Sequence, residues 1–350
     1  MNRRQVTLAD LAQELGISTA TVSRALKDYP DISNETKERV LALARQWNYR
    51  PNSMAAGLRK QESRVIGVII PEIVNHFFSS VIKGIMQTAY DADYRVMLCQ
   101  SDESYEKEVA DANALFASRV DGILVSLAHE TVALDHLYEF QHAGVPIVFF
   151  DKVPLEEKNN ISKVVVDDYQ GAYNVVSHLI EQGAKRIAHF RGPMEAYTSR
   201  NRFLGYQAAL EANGIPLDTD LVYDCSKITL EEGVSFVHDL VDKGVAFDAI
   251  FSITDSVGIG ALLGLQEKGL NVPEDVMLAG FSDWKMSSVV QPSLTTVAQP
   301  SLEMGRLAME LLLREIQASK DEVEPVYETI VLKTELKVRD SSQRITEKAH

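Results

Sequence analysis

Cysteine is scarce: only Cys99 and Cys225 occur among 350 residues. They lie far apart and form no CxxC pair, so neither a disulfide framework nor a thiolate metal centre is expected, and a reducing compartment suits the chain. Long apolar runs are missing too. No stretch approaches the roughly 20 residues of a membrane-spanning helix, and the opening MNRRQVTLAD has no hydrophobic signal segment, so a cytoplasmic location is expected. The eight histidines are scattered, with no HExxH and no i, i+4 pair, which argues against a metal site. No glycine-rich turn follows the first apolar run, which passes directly into IIPEIVNHFF, so a nucleotide fingerprint is lacking. No GxSxG elbow or Ser/His/Asp order is present. An enzyme is therefore not expected, and no cofactor or catalytic residue is assigned.

What is present is unevenly distributed. The formal charge is −15, which by itself disfavours a polyanionic partner. Residues 1–60, however, carry 10 Lys/Arg against 6 Asp/Glu, a balance of +4, and the remaining 290 carry 25 against 44, a balance of −19. A basic head on an acidic body directs the head alone toward nucleic acid. The length implies two or three domains.

The head reads TLADLAQELGISTATVSRAL. Thr7 caps a helix with Asp10 as the return partner of a capping box. Leu8, Leu11, Ala12 and Leu15 fall on one face at helical spacing. Gly16 supplies a sharp turn, and Ser18 caps a second helix. Val22, Ala25 and Leu26 of that helix face inward, leaving Thr19, Ala20, Ser23, Arg24 and Lys27 outward. Short groups where base edges are met and cations where phosphates are met suit a helix entering a major groove. An ordinary helical hairpin is the bland alternative. A third helix over 35–47 buries Val40, Leu43, Ala44 and Trp47. Asn48-Tyr49-Arg50-Pro51 ends it, because a residue preceding proline resists the helical region.

Asn52 then caps a short helix through Met54, Ala55 and Leu58. It contains Gly57 and is too short to be stable alone, so it is either a linker or a segment that orders on binding. Leu58 beside Arg59 and Lys60 is an apolar wedge flanked by cations, the chemistry of minor-groove insertion. Packing of Leu58 on the next domain is the plainer reading.

From Arg64 short apolar runs alternate with amphipathic stretches: 65–70, 94–100, 122–126 and 147–151, with helices over 79–92 and 105–118. A second series begins at VVVDD (164–168) and continues through 186–190, 248–252 and 276–281. Its helices span 170–182, 202–213, 230–243 and 256–268. This alternation implies parallel sheets buried on both faces. SLTTV reads as a further strand, a long helix covers 302–315, and TIVLKTELKVR supplies closing strands. Two doubly wound halves imply two lobes with a cleft at the carboxyl ends of their strands.

In order and spacing, TLADLAQELGISTATVSRAL, NYRPNSMAAGLRK, RVDGILVS, RGP…TSRNRFLGY, NVPEDVMLAGF and QPSLTTVAQP resemble the lactose/galactose repressor (LacI/GalR) family of bacterial transcription regulators over essentially the whole chain. The resemblance implies an all-α helix-turn-helix head plus an α/β core like the periplasmic sugar-binding proteins, made of two doubly wound parallel-sheet lobes. The expected division is a DNA-binding domain over 1–50, a hinge helix over 51–62, a core over 63–340 and a tail over 341–350. Within the core, 63–162 with 293–322 forms the first lobe, and 163–292 with 323–340 the second. It also implies a homodimer on a near-palindromic operator, with one head per half-site. By position, Thr19, Ala20 and Arg24 read bases, Ser18, Thr21 and Ser23 hold phosphates, and Leu58 is the hinge wedge. Thr7, Asn52, Met54, Ala55 and Arg59 complete the expected DNA contacts.

The same matching places a small-molecule effector, a sugar or sugar phosphate, with a purine as alternative. Asn75, Phe77 and Phe78 follow the first strand, and one of the two aromatics is expected to be structural. Asp151 ends a strand of the first lobe. Arg202 offers a planar fork to hydroxyls, a carboxylate or a phosphate, or else makes a buried ion pair with Asp151 or Asp167. Thr198, Thr254, Asp255 and Gln299 complete the polar lining. The family usually has Asp directly after the GY or GF of the late strand; here Ser282 holds that place and Asp283 follows, so the effector identity stays open. A transport-type solute-binding protein would share the core but not the basic head.

Overall fold

The computed structural model describes residues 6–49, 62–155 and 160–344. The expected hinge, with Asn52, Met54, Ala55, Leu58 and Arg59, lies outside them. The chain divides into two compact units, Met1–Ser63 and Arg64–His350.

Three helices build the first unit: α1 (Leu8–Leu15), α2 (Thr19–Leu26) and α3 (Asn34–Gln46). Thr7 and Asp10 form a reciprocal capping box on α1, and Gly16 ends it at φ 65, where glycine has no Cβ to strain. Ser18 caps α2 and Ser33 caps α3, each hydroxyl accepting from the backbone three residues on. Leu11, Ala12, Val22, Ala25, Val40 and Ala44 form one small core, with Leu8, Leu15, Leu26, Leu43 and Trp47 packed around it.

In chain order the second unit begins with β1 (Val65–Ile70), α4 (His76–Asp91), β2 (Arg95–Gln100), α5 (Tyr105–Ala117), β3 (Gly122–Val125), α6 (Asp135–His142), β4 (Ile147–Phe150) and β5 (Ser162–Val166). It continues with α7 (Asp168–Glu181), β6 (Ile187–Arg191), α8 (Tyr197–Ala212), β7 (Val222–Asp224), α9 (Leu230–Asp242), β8 (Ala249–Ser252), α10 (Asp255–Glu267) and β9 (Met277–Ser282). Last come β10 (Thr295–Ala298), α11 (Ser301–Lys320), β11 (Thr329–Leu332) and β12 (Glu335–Lys337). The strands make two six-stranded sheets, ordered β11-β5-β4-β3-β1-β2 and β12-β10-β9-β8-β6-β7. All pairs are parallel except β12 against β10. Central strands such as β3, β4 and β8 are buried throughout, as sheets covered by helices on both faces require.

Several expected boundaries are corrected. VVVDD does not open the second lobe: β5 pairs with β4 and β11 in the first sheet. SLTTV, placed in the first lobe from sequence, pairs with β9 in the second, and β11, placed in the second, belongs to the first. Three crossovers therefore join the lobes: after β5, after β10 and between β11 and β12. A parallel strand buried on both faces carries no periodicity that says which sheet it enters, so strand membership was not readable. The tail is corrected as well. Ser341 and Ser342 are fully buried; Ser341 Oγ donates to Leu278 O at 2.6 Å and accepts from Thr295 N at 2.8 Å, tying residues 340–342 to the second lobe.

The α11 helix returns to the first lobe and packs on α4 through facing glycines: a Cβ on Gly84 would meet Leu302 O at 2.2 Å, and one on Gly305 would meet Val81 O at 2.0 Å. On its sheet-facing side Glu315 is 4% exposed, and its Oε1 is buried without a hydrogen-bond partner. Burial pushes this carboxyl up to about 7, against the weaker pull of Ser162 and Arg314. The protonated form is the one the fold tolerates. Its contribution is therefore full below the ordinary carboxylate range and is lost as pH rises through about 7. Glu315→Gln keeps the shape without the charge. In urea denaturation the variant is expected to match the wild type near pH 5 and to exceed it at pH 8 by up to about 2 kcal/mol; equal curves at both pH values would disprove this.

Candidate functional site

On the head, α2 turns Thr19, Ala20 and Arg24 outward, with Ser18 also exposed and Thr21 and Ser23 half-buried. The Ser18 and Thr21 hydroxyls bond each other at 2.8 Å, and Ser18 Oγ accepts from Thr21 N at 3.1 Å, so both are preset on the helix N-terminus, where backbone N–H groups favour an anion. The Thr7 hydroxyl is likewise exposed but donates to Asp10 Oδ2 at 2.8 Å. Arg24 pairs with Asp31 and lies 5.5 Å from the Tyr29 ring centroid. Half of its side chain remains exposed, so a phosphate competes only with a surface ion pair of small worth.

In the core, the sequence candidates converge on the carboxyl ends of both sheets, though not as a uniform set. Arg202 is 5% exposed on the first turns of α8. Its Nε donates to Asp168 Oδ1 and its Nη1 to Ile253 O, each at 2.8 Å, and its guanidinium lies 3.8 Å from the Phe281 ring centroid. The partner is Asp168, neither Asp151 nor Asp167. Asp167 instead caps α7, accepting from Gln170 N at 2.9 Å. Asp151 follows β4 at φ 57 and is 5% exposed. Burial pushes its carboxyl up to about 7; Lys152 and Arg202 pull it down while Asp168 and Glu103 push it further up. A first-lobe carboxyl thus feels a second-lobe guanidinium. Beside it, burial raises Glu103, but Lys152 and His129 outweigh that and hold its carboxyl at about 2.

Some of the buried polar atoms without a hydrogen bond lie at the same strand ends, others being spread elsewhere over the fold. Among the described residues, the Ser126 hydroxyl after β3, Asp168 Oδ2 after β5 and Gln299 Nε2 after β10 are buried with no hydrogen bond. Thr198, on the first turn of α8, is 6% exposed. Unsatisfied buried polar groups are costly and rare, and these three lie at the carboxyl ends of the strands, the edge at which open α/β sheets generally bind ligands.

Other candidates make contacts within the scaffold. Asn75 caps α4, accepting from Phe77 N at 2.9 Å. Phe77 and Phe78 both pack in the first-lobe core, edge to face with centroids 5.2 Å apart. Thr254 caps α10. Asp255 accepts from Thr296 Oγ1 at 2.5 Å, Trp284 N at 2.6 Å and Ser287 Oγ at 2.7 Å. Its carboxylate thereby holds the loop after β9. Asp283 in that loop is paired with Arg339 at 2.6 Å, while Ser282 remains half-buried at the strand end. Sequence reasoning missed Asp168, Ser126 and Arg339. The adjacent acids of VVVDD were a signal for Asp168, which only the exact start of α7 resolves; Ser126 and Arg339 carried none. A separate surface groove of about 420 Å³, lined by Lys185, Arg186, Tyr206 and Asp218, lies at the opposite, amino-terminal end of β6.

With this geometry in place, comparison with known proteins is specific. Residues 7–52 match the model of the bacterial regulatory proteins of the lacI family, and residues 63–335 that of the periplasmic binding proteins and sugar binding domain of the LacI family. Catabolite control protein A of Priestia megaterium is 34% identical over 88% of this chain and 92% of its own length. The HTH-type transcriptional repressor CytR of Escherichia coli (strain K12) is 34% identical over 89% and 90%. A lac repressor dimer bound to operator and the anti-inducer ONPF superposes with a TM-score of 0.83 at 25% identity, covering 97% of this chain and all of that one. The regulator CelR in complex with cellobiose gives 0.73 at 27%, covering 96% of this chain and all of that one. Head, two-lobed core and relatives agree, and the chain belongs to the LacI family of DNA-binding bacterial transcription regulators.

Proposed function

We propose that this regulator is a homodimeric repressor whose operator affinity is switched by a small, uncharged, hydroxyl-rich effector held between its lobes. The observation that carries the reading is the buried set around Arg202. The guanidinium already has Asp168 and a backbone carbonyl as partners, and Asp151 adds a further acid beside it. Asp168 Oδ2 seeks a donor, Gln299 Nε2 an acceptor, and the Ser126 hydroxyl either. A sugar, free or in a nucleoside, satisfies all of them. A sugar phosphate would place its anion against Asp151 and Asp168. A free oxopurine base also carries N–H donors and carbonyl acceptors, so it is the competing class that a binding measurement must separate. Cellobiose in the CelR complex supports a neutral sugar as the ligand class.

In this reading Thr19, Ala20 and Arg24 meet base edges, Ser18, Thr21, Ser23 and Thr7 meet phosphates, and Leu58 with its hinge neighbours meets the minor groove. Effector binding changes the lobe angle at the three crossovers and so the spacing of the heads in the dimer. Effector and operator then alter each other's affinity reciprocally. Thermal-shift measurements with cellobiose, D-ribose, adenosine, glucose 6-phosphate and hypoxanthine test the ligand class. A ligand at about 100 times its Kd adds about 2.7 kcal/mol, a rise of a few degrees in a domain of this size. Stabilisation by a neutral hydroxylated compound is expected. Stabilisation by the phosphate or the free base alone would overturn the proposal.

A further inference from the structure

The loop that leaves β9 carries two consecutive non-glycine residues in positive-φ backbone, Ser282 at φ 119 and Asp283 at φ 52. Such conformations cost free energy and persist only where the surroundings over-determine them. Here the surroundings are identifiable. From below, the buried Asp255 carboxylate accepts from Trp284 N and Ser287 Oγ, and Thr296 Oγ1 both donates to Asp255 and accepts from Asp283 N at 3.2 Å. From the side comes Arg339, in the segment that follows the last strand of the core. Its Nη2 donates to Asp283 Oδ1 at 2.6 Å and its Nη1 to Leu294 O at 2.8 Å. Its own backbone is pinned to β10, Arg339 N donating to Thr295 Oγ1 at 2.8 Å while that hydroxyl donates to Arg339 O at 3.0 Å. The side chains in this clamp are largely withdrawn from water, Arg339 being 20% and Asp283 30% exposed.

We propose that Arg339 is a positioning residue of the effector cleft: by gripping Asp283 it holds residues 282–284 in their strained backbone and keeps the Asp283 carboxylate out of the cleft. The inference rests on the cleft reading above for its functional consequence, but not for its mechanics. Without the clamp, Asp283 relaxes toward ordinary φ, and the strand end that forms the second-lobe wall changes shape. Its carboxylate is released beside a site that already holds Asp151 and Asp168. The C-terminal segment thereby sets the polarity of a cleft it does not touch.

The chain supplies its own reporter, since Trp284 is next to Asp283 and Trp47, in the head, is the other of two indoles. Fluorine NMR of the full-length, fluorotryptophan-labelled protein resolves both, and a Trp47→Phe sample assigns them. Arg339→Gln is expected to shift and broaden the Trp284 line while leaving the Trp47 line in place. Glycine adopts positive φ without strain, so Asp283→Gly removes the need for the clamp. In that background, adding Arg339→Gln is expected to leave the Trp284 line unchanged. An unaltered Trp284 line in Arg339→Gln would overturn the proposal, as would an equal change in the Asp283→Gly background. All spectra are taken without effector, so failure of the ligand-class reading leaves this result standing.

Discussion

Replacing Arg202 with methionine is expected to remove about 3–5 kcal/mol of stability at pH 8 and markedly less near pH 5.5. The side chain is 5% exposed and faces Asp168, itself 2% exposed. Methionine fills similar volume but leaves the Asp168 carboxylate buried and unpaired, with Asp151 beside it. An ion pair in such a place is worth little against a well-packed apolar replacement of both partners, whereas removing one partner exposes the full desolvation cost of the other. The pH dependence follows from the same cause. Burial already pushes both carboxyls up, and loss of the guanidinium takes away a charge that opposes this. Acid protonates them and relieves the penalty, so the deficit shrinks as pH falls. Urea denaturation of the wild type, Arg202→Met and Arg202→Met/Asp168→Asn at both pH values decides the matter. The double variant should recover much of the loss. A deficit below about 1 kcal/mol, or one that does not change with pH, would show that the pair is not what Arg202 supplies.

The contrast between Arg202 and Asp255 explains how much of the site was legible. Both are buried charged residues on helices that follow strands of the second lobe; sequence favours Arg202 as a ligand contact and places Asp255 in the polar lining. In the structure Asp255 is saturated by Thr296, Trp284 and Ser287, while the Arg202–Asp168 pair leaves one carboxylate oxygen open. The difference lies in partners 29 to 41 residues distant, which no local pattern encodes. Local chemistry was readable wherever a few adjacent residues decide it. Thr7 with Asp10, Gly16, and Ser18 define the head's helices through capping and turn geometry alone. The central strands of the core were readable as apolar runs, because both faces are buried, whereas the short, partly exposed edge strand β7 was not. Which lobe received β5, β10 and β11 was not, since that depends on crossovers that the strand sequences do not mark. Helix starts were late by three residues at His76 and by five at Tyr197. The latter conceals that Thr198 and Arg202 share one helical face, four residues apart, at the cleft edge.

Deleting residues 1–60 is expected to abolish specific DNA binding, a loss of about 1,000-fold or more, while the remaining core keeps its secondary structure by circular dichroism. The core has its own two sheets and buried clusters, and its division from the head falls between Ser63 and Arg64. What remains after the deletion carries −19, so it lacks the α2 surface and also repels the phosphate backbone. Within the intact chain, Arg24→Ala isolates one contact. In the free protein Arg24 is held by Asp31 and Tyr29 at the surface, interactions whose loss costs the fold little. On DNA, in the proposed reading, the same guanidinium would reach a base edge or a phosphate. A base contact predicts a penalty of about 1–3 kcal/mol that falls mainly on one position of the operator; a phosphate contact predicts uniform weakening and a salt slope smaller by about one. Mobility-shift titrations at several salt concentrations, with the operator and single-base variants, separate the two. Unchanged affinity in Arg24→Ala, or specific binding by the headless core, would be incompatible with α2 as the reading helix.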